Sequence, residues 1–477
     1  MKAYIDTLQN LSPKQLLMLL VQKKQQETEA LAIVGTACRM PGGIDNLERL
    51  WSTLRDGRCT IGEYSDGPPG PAGQPRWTPA RYGDHVSLKV GAFLDEIDAV
   101  PAMTDIGADE MLYLDPQQRL LLACAHEALV DAGLSPDGLR GERVGIFIGI
   151  SHSEYLHASL HRGLSPDNLS PYMGTGTALS ATAGRLALAI GGRGPAMAVD
   201  TACSSALTAL DLAKGALRRG ECDWALVGAC HLLLSPLTSL VFAKADMLSP
   251  SGRSRPFDAE ADGHVRGEGI GLLLLCRRRL AQQRDLPVKA WVRGCAIHQQ
   301  GERAMLSGVS GVGQQAVIKG ALDDATLGPE DIHVIEAQAN GARIGTRIEL
   351  ESLTAAYGRQ SPLYVSSGKA NWGYLETMSG MASLLKAIAM LQHRFVPPQI
   401  HCTTPDPEFP WHSSHLRLSR NGHALPAEGA LRCAISSFGF TGTYGHAILE
   451  SSAALPDTPP QGTPQGTTLW PEDNFWN

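Results

Sequence analysis

The chain has 477 residues, enough for a large core and, on length alone, for two to four domains or one duplicated fold. Hydrophobic residues make up 43% and charged residues 19%, and the formal charge of −7, from 41 basic and 48 acidic side chains with no long basic block, argues against a nucleic-acid binder. No run approaches the roughly 18 apolar residues of a membrane span, no signal-peptide pattern opens the chain, and the ten cysteines stand singly with no C-x-x-C pair, which suggests neither a metal site nor a disulfide framework and fits a reducing cytoplasm.

Residues 1 to about 30 form a separate segment, in which Ser12-Pro13 starts a short helix carrying Leu16, Leu17, Leu19 and Leu20 before Lys23 and Lys24. Such a helix is too short to be stable alone, so it packs on the body as an arm or docks another chain. The initial Met ahead of it leads us to expect a native N-terminus. From Leu31 the sequence turns globular: the apolar run Leu31 to Val34 reads as a buried strand ending in Gly35, and residues 57 to 85 as a surface excursion with little regular structure. Asp115-Pro116 opens a periodic helix that runs to Gly133, Val144 to Gly149 is a buried strand, and Ser180 to Ile190 a small-residue helix.

A β-compatible run, Pro195 to Val199, then carries into the turn Asp200-Thr-Ala-Cys203-Ser-Ser205, and Ala206, Leu207, Leu210, Ala213 and Leu217 follow at helical spacing. Cys203 therefore sits at a strand-to-helix corner. There the free N–H groups and helix dipole stabilise a thiolate, and the same amides hold an oxyanion when a thioester is attacked. A buried structural cysteine is the other reading of such a residue.

Beyond this corner Trp224 to Gly228 is a short strand, Met247 to Gly269 a charged, glycine-rich shaped loop, and Ile270 to Cys276 a return to the sheet pattern. The alternation repeats with strands at Ala290–Gly294, 333–336 and Leu363–Ser366, helices over about 313–322, from about Ile348 and over about 378–391, and a last strand pair ending at Glu450. Two similar halves dividing near residue 285 suit a duplicated fold. Residues 452–477 read as a flexible tail with an apolar end, Leu469-Trp470 and Phe475-Trp476.

Six motifs stand in one order: Ala32-Ile-Val-Gly-Thr-Ala-Cys-Arg-Met-Pro-Gly42, Asp115-Pro-Gln-Gln-Arg119, Asp200-Thr-Ala-Cys-Ser-Ser205, Phe257-Asp-Ala-Glu-Ala-Asp-Gly263, Gly267-Glu-Gly269 and Ser436-Ser-Phe-Gly-Phe440. Over residues 31–451 the chain thereby resembles the β-ketoacyl synthase (ketosynthase) domains of polyketide synthases. The resemblance implies an α/β, thiolase-like fold of two related halves in a layered α/β/α/β/α arrangement, usually a homodimer. It implies that an acyl chain arrives on the phosphopantetheine arm of an acyl carrier protein, with no cofactor bound intrinsically, and that a malonyl-type extender is decarboxylated and joined to it. By the same resemblance Cys203 is the nucleophile, its N–H and that of Phe440 form the oxyanion hole, and Lys369 is the active-site lysine.

Two departures alter that picture. Where the family reads E-A-H-G-T-G-T the chain has Glu336-Ala-Gln338-Ala-Asn-Gly-Ala342, and where it reads K-x-N-x-G-H the chain ends on Tyr374, so both catalytic histidines are replaced. A glutamine amide or tyrosine hydroxyl still donates a hydrogen bond, but neither exchanges a proton near neutral pH. Losing one such group costs on the order of 100-fold in rate, so losing two reduces decarboxylative condensation to a trace. Thr441 and Tyr444, in the family's glycine-rich gate, are expected to stiffen or reshape the loop beside the oxyanion hole. His446 reads as a hydrogen-bonded core residue, His298 as a loop histidine, and Asp258, Arg266 and Glu268 as one buried charge network.

The reading is a condensation-incompetent ketosynthase-like acyltransferase that loads an acyl chain onto Cys203 and passes it on without elongation. Two rivals stand beside it: an acyl-enzyme repurposed through Gln338, Tyr374 and Lys369 for cyclisation, hydrolysis or transfer to an amine or alcohol, and a non-catalytic dimeric scaffold that docks carrier protein. The partners expected are an acyl carrier protein, a second copy of the chain, and a polyketide or mixed peptide-polyketide synthase to which it docks. No carrier, acyltransferase or reductase pattern follows, so intermediates are expected from elsewhere.

Overall fold

The apolar runs pair into one eleven-stranded mixed sheet in the computed structural model, which describes residues 9–452 apart from 71–73, 84, 99–105, 136, 162–168 and 302–304. The proposed C-terminal tail lies almost wholly outside the described residues. In chain order the strands are β1 (Leu31–Arg39), β2 (Val144–Gly149), β3 (Ala196–Val199), β4 (Trp224–His231), β5 (Gly269–Arg277), β6 (Ala290–Gln299), β7 (Val334–Glu336), β8 (Leu363–Ser366), β9 (Leu416–Leu418), β10 (Arg432–Phe438) and β11 (Thr443–Ser451). Across the sheet they run β9-β8-β7-β10-β11-β6-β1-β5-β4-β2-β3.

Going outward from the centre, β1-β5-β4-β2-β3 pair antiparallel, antiparallel, parallel, parallel. The series β6-β11-β10-β7-β8 repeats that pattern strand for strand, and β9 adds to its outer edge. The two series meet where Leu31–Ile33 of β1 pairs antiparallel with β6. One topology used twice in a chain is the duplication of the thiolase-like fold, present in the pairing although no literal sequence repeat survives.

The helices complete five layers. They are α1 (Pro13–Glu27), α2 (Pro116–Asp131), α3 (Leu179–Ile190), α4 (Ser205–Arg219), α5 (Gly311–Ala325), α6 (Arg343–Tyr357) and α7 (Ser379–His393). α4 follows β3 and α7 follows β8 at matching places in the two halves. These two helices pack on each other in the middle layer, where Leu207 and Leu210 of α4 and Leu384 and Leu385 of α7 share one core with residues of both strand series. Burying each leucine is worth about 1.5–3 kcal/mol. α7 is buried from Ser379 to Leu391, the pattern of a helix covered on every face. α2 and α3 cover the outer face of the first half, and α5 and α6 that of the second.

Several boundaries differ from the sequence reading. Gly35 does not end β1 but sits at a register shift inside it, because α2 passes so close that a Cβ there would lie 2.0 Å from the Ala128 carbonyl oxygen. β6 continues to Gln299 because β11 pairs with it throughout, so His298 is a strand residue opposite Tyr444 and not a loop histidine. α6 starts at Arg343, five residues before the periodic signal. α1 begins as expected, with Ser12 and Gln15 forming a capping box. It exposes Leu17, Met18, Leu19, Leu20 and Val21, and Gln26 Nε2 reaches the Arg218 carbonyl at 2.8 Å.

Asp258, Arg266 and Glu268 do not form the one network expected but take three different sets of hydrogen-bond and ion-pair partners. Glu268 pairs with Arg76 and accepts the N–H groups of Leu94 (2.8 Å) and Leu233 (2.6 Å). Asp258 accepts from Glu260 N (2.9 Å) and Thr404 N (3.0 Å), and Arg266 pairs with Glu376. His446 is fully buried between the Tyr357 hydroxyl (2.9 Å) and the Ser436 hydroxyl (3.1 Å), a core role.

Candidate active site

The N-terminal ends of the two middle helices converge, and the candidate site lies where they meet. Cys203 precedes α4 directly, with Ser204 as the N-cap. Ala202 before it adopts a φ of 54°, a left-handed conformation that a residue with a Cβ seldom takes. It is held there by the Asp200 carboxylate, which accepts its N–H at 2.9 Å, and by the Ser205 hydroxyl, which donates to its carbonyl at 2.6 Å.

The second half of the molecule comes up against this corner. The Ser437 hydroxyl, at the end of β10, donates to the Cys203 carbonyl at 2.7 Å. Gly439 follows, in the β10–β11 turn, and a Cβ there would stand 2.5 Å from the Thr201 carbonyl oxygen, so the close approach requires glycine. This brings the N–H of Phe440 onto the Cys203 sulfur, joined by the N–H of Cys203 itself, while the Phe440 side chain is 44% exposed. Tyr444 ties the same hairpin to the segment after β6, its hydroxyl accepting from Ser310 N (3.1 Å) and donating to Gln300 Oε1 (2.9 Å).

Gln338 follows β7, and Tyr374 lies between β8 and α7. Gln338 Nε2 donates to the Tyr374 hydroxyl at 2.8 Å, and that hydroxyl hydrogen-bonds the Cys203 sulfur. The three residues thus form a continuous chain, Gln338 to Tyr374 to Cys203, all buried. Lys369 lies over the Tyr374 ring, 5.9 Å from its centroid, and donates to the Ala337 carbonyl at 3.3 Å. All five residues singled out from the sequence, Cys203, Gln338, Lys369, Tyr374 and Phe440, therefore adjoin one another.

Burial sets the protonation states. It pushes the Cys203 thiol up to about 11, and the hydrogen bonds from Tyr374, Phe440 N and Cys203 N only partly oppose it. The helix terminus therefore does not keep a resting thiolate, because the sulfur is shut away from water. Burial pulls the Lys369 amine down to about 8 despite the nearby carboxylates of Glu336 and Glu349. Glu349, which fixes the backbone N–H groups of Gln338 and Ala339 at 2.7 and 2.8 Å, is pushed up by burial to about 7.

Two residues of the site escaped the sequence reading. Glu376, at a φ of 46°, is buried with Arg266 and with His231 Nε2, 3.3 Å away. Burial opposes its charge, but Arg266 prevails and holds it well below the usual carboxylate range, and the anion in turn raises the Cys203 thiol. His264 stands edge-on to Tyr374, ring centroids 5.0 Å apart, and burial keeps it neutral, at about 4. A histidine inside the run Gly263 to Gly269 was the available signal.

Comparison with known proteins bears on this arrangement. The Beta-ketoacyl synthase, N-terminal domain family matches residues 28–281, and the Beta-ketoacyl synthase, C-terminal domain family matches residues 289–403. Polyketide synthase GfsA of Streptomyces halstedii is 39% identical over 438 residues, 89% of this chain. The pikromycin polyketide synthase component PikAII of Streptomyces venezuelae is 38% identical over 452 residues, 91% of this chain. The chain spans only 6% and 12% of the length of these two relatives. Among solved structures, the oxazolomycin ketosynthase domain OzmH KS7 of Streptomyces albus JA3453 is 30% identical with a TM-score of 0.81, over 91% of this chain and 76% of that one. The ketosynthase from module 6 of the bacillaene synthase of Bacillus subtilis 168 is 29% identical with a TM-score of 0.79, over 89% and 72%.

Proposed function

The chain belongs to the β-ketoacyl synthase family of polyketide synthases, and from that premise we propose that it is a ketosynthase-like acyltransferase that does not elongate. An acyl carrier protein presents an acyl-phosphopantetheine thioester. Cys203 attacks it, the C–S bond to pantetheine breaks as the bond to Cys203 forms, and the N–H groups of Phe440 and Cys203 hold the carbonyl oxygen as it takes negative charge. Lys369, held near 8 and part neutral at physiological pH, is suited to take the thiol proton and to pass it to the departing pantetheine thiolate, which leaves the amine neutral again. The acyl group then passes to another acceptor without loss of CO₂.

The observation that carries this reading is the Gln338–Tyr374–Cys203 chain of hydrogen bonds. It fills the positions of the family's two histidines with a hydroxyl that donates to the sulfur and an amide that donates to that hydroxyl, and neither exchanges a proton near neutral pH. Loading needs a nucleophile and an oxyanion hole. Decarboxylation of an extender needs, in addition, hydrogen-bond donors aimed at its thioester oxygen as enolate charge develops, and here the Gln338 amide is committed to the Tyr374 hydroxyl and that hydroxyl to the sulfur. Transfer to an alcohol or amine is a second reading, favoured by the same part-neutral Lys369, which would accept the acceptor's proton.

We further propose that the working unit is a homodimer, on two observations. β3 is the outermost strand of the sheet, and Met197 on it and Leu188 on the adjoining α3 are exposed at 38% and 78%. α1, with its five exposed apolar residues, is proposed as the segment that pairs with another chain of the synthase. The chain is organised as the segment 1–30, two halves dividing near residue 285, and a tail from 452.

Intact-protein mass spectrometry after incubation with acyl-pantetheine thioesters tests the proposal. The native protein should gain one acyl group and Cys203→Ala none; equal gain by both would refute the assignment. Malonyl carrier protein added with the acyl donor should yield neither CO₂ nor a β-ketoacyl product, and rapid elongation would overturn the reading of Gln338 and Tyr374.

A further inference from the structure

The peptide between Ala202 and Cys203 carries one of the two N–H groups that meet the Cys203 sulfur, and its plane is rigid, so whatever turns Ala202 turns that N–H. Ala202 stands at a φ of 54°, and an alanine left to itself returns to negative φ. The carbonyl end of the peptide is fixed at Ser205, which donates to the Ala202 oxygen from its hydroxyl at 2.6 Å and from its N–H at 3.1 Å. The other end of Ala202 is its own N–H, fixed by Asp200 Oδ1 at 2.9 Å. That oxygen also accepts the Ser151 hydroxyl at 2.8 Å, and the Ser151 oxygen accepts the Thr377 hydroxyl at 3.0 Å. Ser151 follows β2 and Thr377 lies between Tyr374 and α7, so three stretches distant in sequence converge on one backbone angle. Thr377 is 2% exposed and shut away from water, whereas Asp200 is exposed and would otherwise be free to swing into solvent.

We propose that Ser151 and Thr377 are positioning residues for the reaction at Cys203. Through Asp200 they hold Ala202 in its left-handed conformation, and so keep the Cys203 N–H aimed at the thioester oxygen. Neither touches the reacting atoms. Each hydroxyl has a single proton, and both protons run in one direction, from Thr377 to Ser151 and from Ser151 to the Asp200 carboxylate. A hydrogen bond that ends on a charged acceptor is roughly twice as strong as one between neutral groups, which lets a short exposed side chain serve as a fixed post. With the carboxylate free to rotate, Ala202 would relax and carry the amide off its line. Oxyanion donors act by geometry, and a small misplacement costs far more in rate than the lost bond costs the fold. The loop that brings Tyr374 to the sulfur thereby also steadies the amide.

The inference rests on acyl loading at Cys203, and its test pairs one reaction that needs the aimed amide with one that does not. Butyryl-pantetheine thioester is attacked at a carbonyl whose oxygen takes negative charge, whereas iodoacetamide loses iodide from carbon and builds no oxyanion. Both rates are followed at Cys203 of the full-length protein by mass spectrometry at one pH. Ser151→Ala should lower the ratio of acyl gain to alkylation about 10-fold. Thr377→Val, which keeps the shape and removes the hydroxyl, should lower it about 3-fold or more. Thr377→Ser, which keeps the hydroxyl, should leave it at the wild-type value. A residue that served only the fold would slow both reactions together and leave the ratio unchanged. An unchanged ratio in either Ser151→Ala or Thr377→Val therefore overturns the inference alone, and a variant that does not fold leaves the other to decide. Wild type that is alkylated at Cys203 but gains no acyl group overturns the loading reading and the inference with it.

Discussion

Replacing Tyr374 with phenylalanine deletes one hydroxyl from the chain that ends on Cys203 and keeps the ring in its place. With the thiol at about 11, roughly 3 in 10,000 Cys203 side chains are thiolate at about pH 7.5. The hydroxyl bonds the anionic sulfur more strongly than the neutral one, so its loss raises the thiol further. A hydrogen bond to a charged group contributes about 1.5–3 kcal/mol, and one pKa unit is about 1.4 kcal/mol. Tyr374→Phe should therefore raise the thiol by about one to two units and slow every thiolate-dependent reaction of Cys203 about 10- to 100-fold. It also leaves Gln338 Nε2 buried without a partner, which should cost about 1–3 kcal/mol of stability. Iodoacetamide alkylation of Cys203, followed by peptide mass spectrometry from about pH 7 to about pH 9, reads the rate, and chemical denaturation reads the stability. The wild-type rate should climb about tenfold per pH unit across that range without levelling, and the variant should run parallel and lower. A plateau in the wild type near pH 8, or a variant alkylated as fast as wild type, would refute the account of burial and hydrogen bonding at the sulfur.

Glu376→Gln should act in the opposite direction, since removing the anion that raises the thiol speeds alkylation of Cys203, while the unpaired Arg266 lowers stability by about 3–5 kcal/mol in chemical denaturation. Gly439→Ala drives a Cβ against the Thr201 carbonyl oxygen, so the β10–β11 turn must move; acyl gain at Cys203 should fall sharply and stability drop by about 1–3 kcal/mol, and an unaltered loading rate would separate Phe440 from the oxyanion hole. Gln338→His combined with Tyr374→His should release CO₂ from malonyl carrier protein where the parent protein does not. Either single change should release far less than the pair, as measured by trapped labelled CO₂.

Most strands were legible because they are short apolar runs bounded by turn residues, and β2 and β8 lie where that pattern predicts, whereas β9, with Arg417 between two leucines, carried no such signal. Pairing was not legible: the length of β6 is fixed by β11, more than 140 residues away, and the glycine that seemed to end β1 instead admits a helix. The corner at Cys203 was readable as a corner, but the state of its thiol was not. Burial and the distant Glu376 decide that, and neither is written near residue 203. His264 escaped for the same reason, since its contact with Tyr374 joins positions 110 residues apart.

On the proposed function, the direction of the hydrogen bonds accounts for loading without elongation. Tyr374 has one proton. When the sulfur is anionic, that proton bonds it, with Gln338 donating to the hydroxyl from behind. Once the sulfur carries an acyl group it is a weak acceptor, and the same proton is free to bond the thioester oxygen beside the N–H groups of Phe440 and Cys203. The chain thus supports the sulfur before acylation and the carbonyl after it. An extender's enolate would need hydrogen-bond donors of its own as it forms, and behind Tyr374 stands an amide already donating to the Tyr374 hydroxyl. On the function proposed above, the acyl-enzyme is then a resting point, left when an acceptor arrives with its own proton for Lys369 to take.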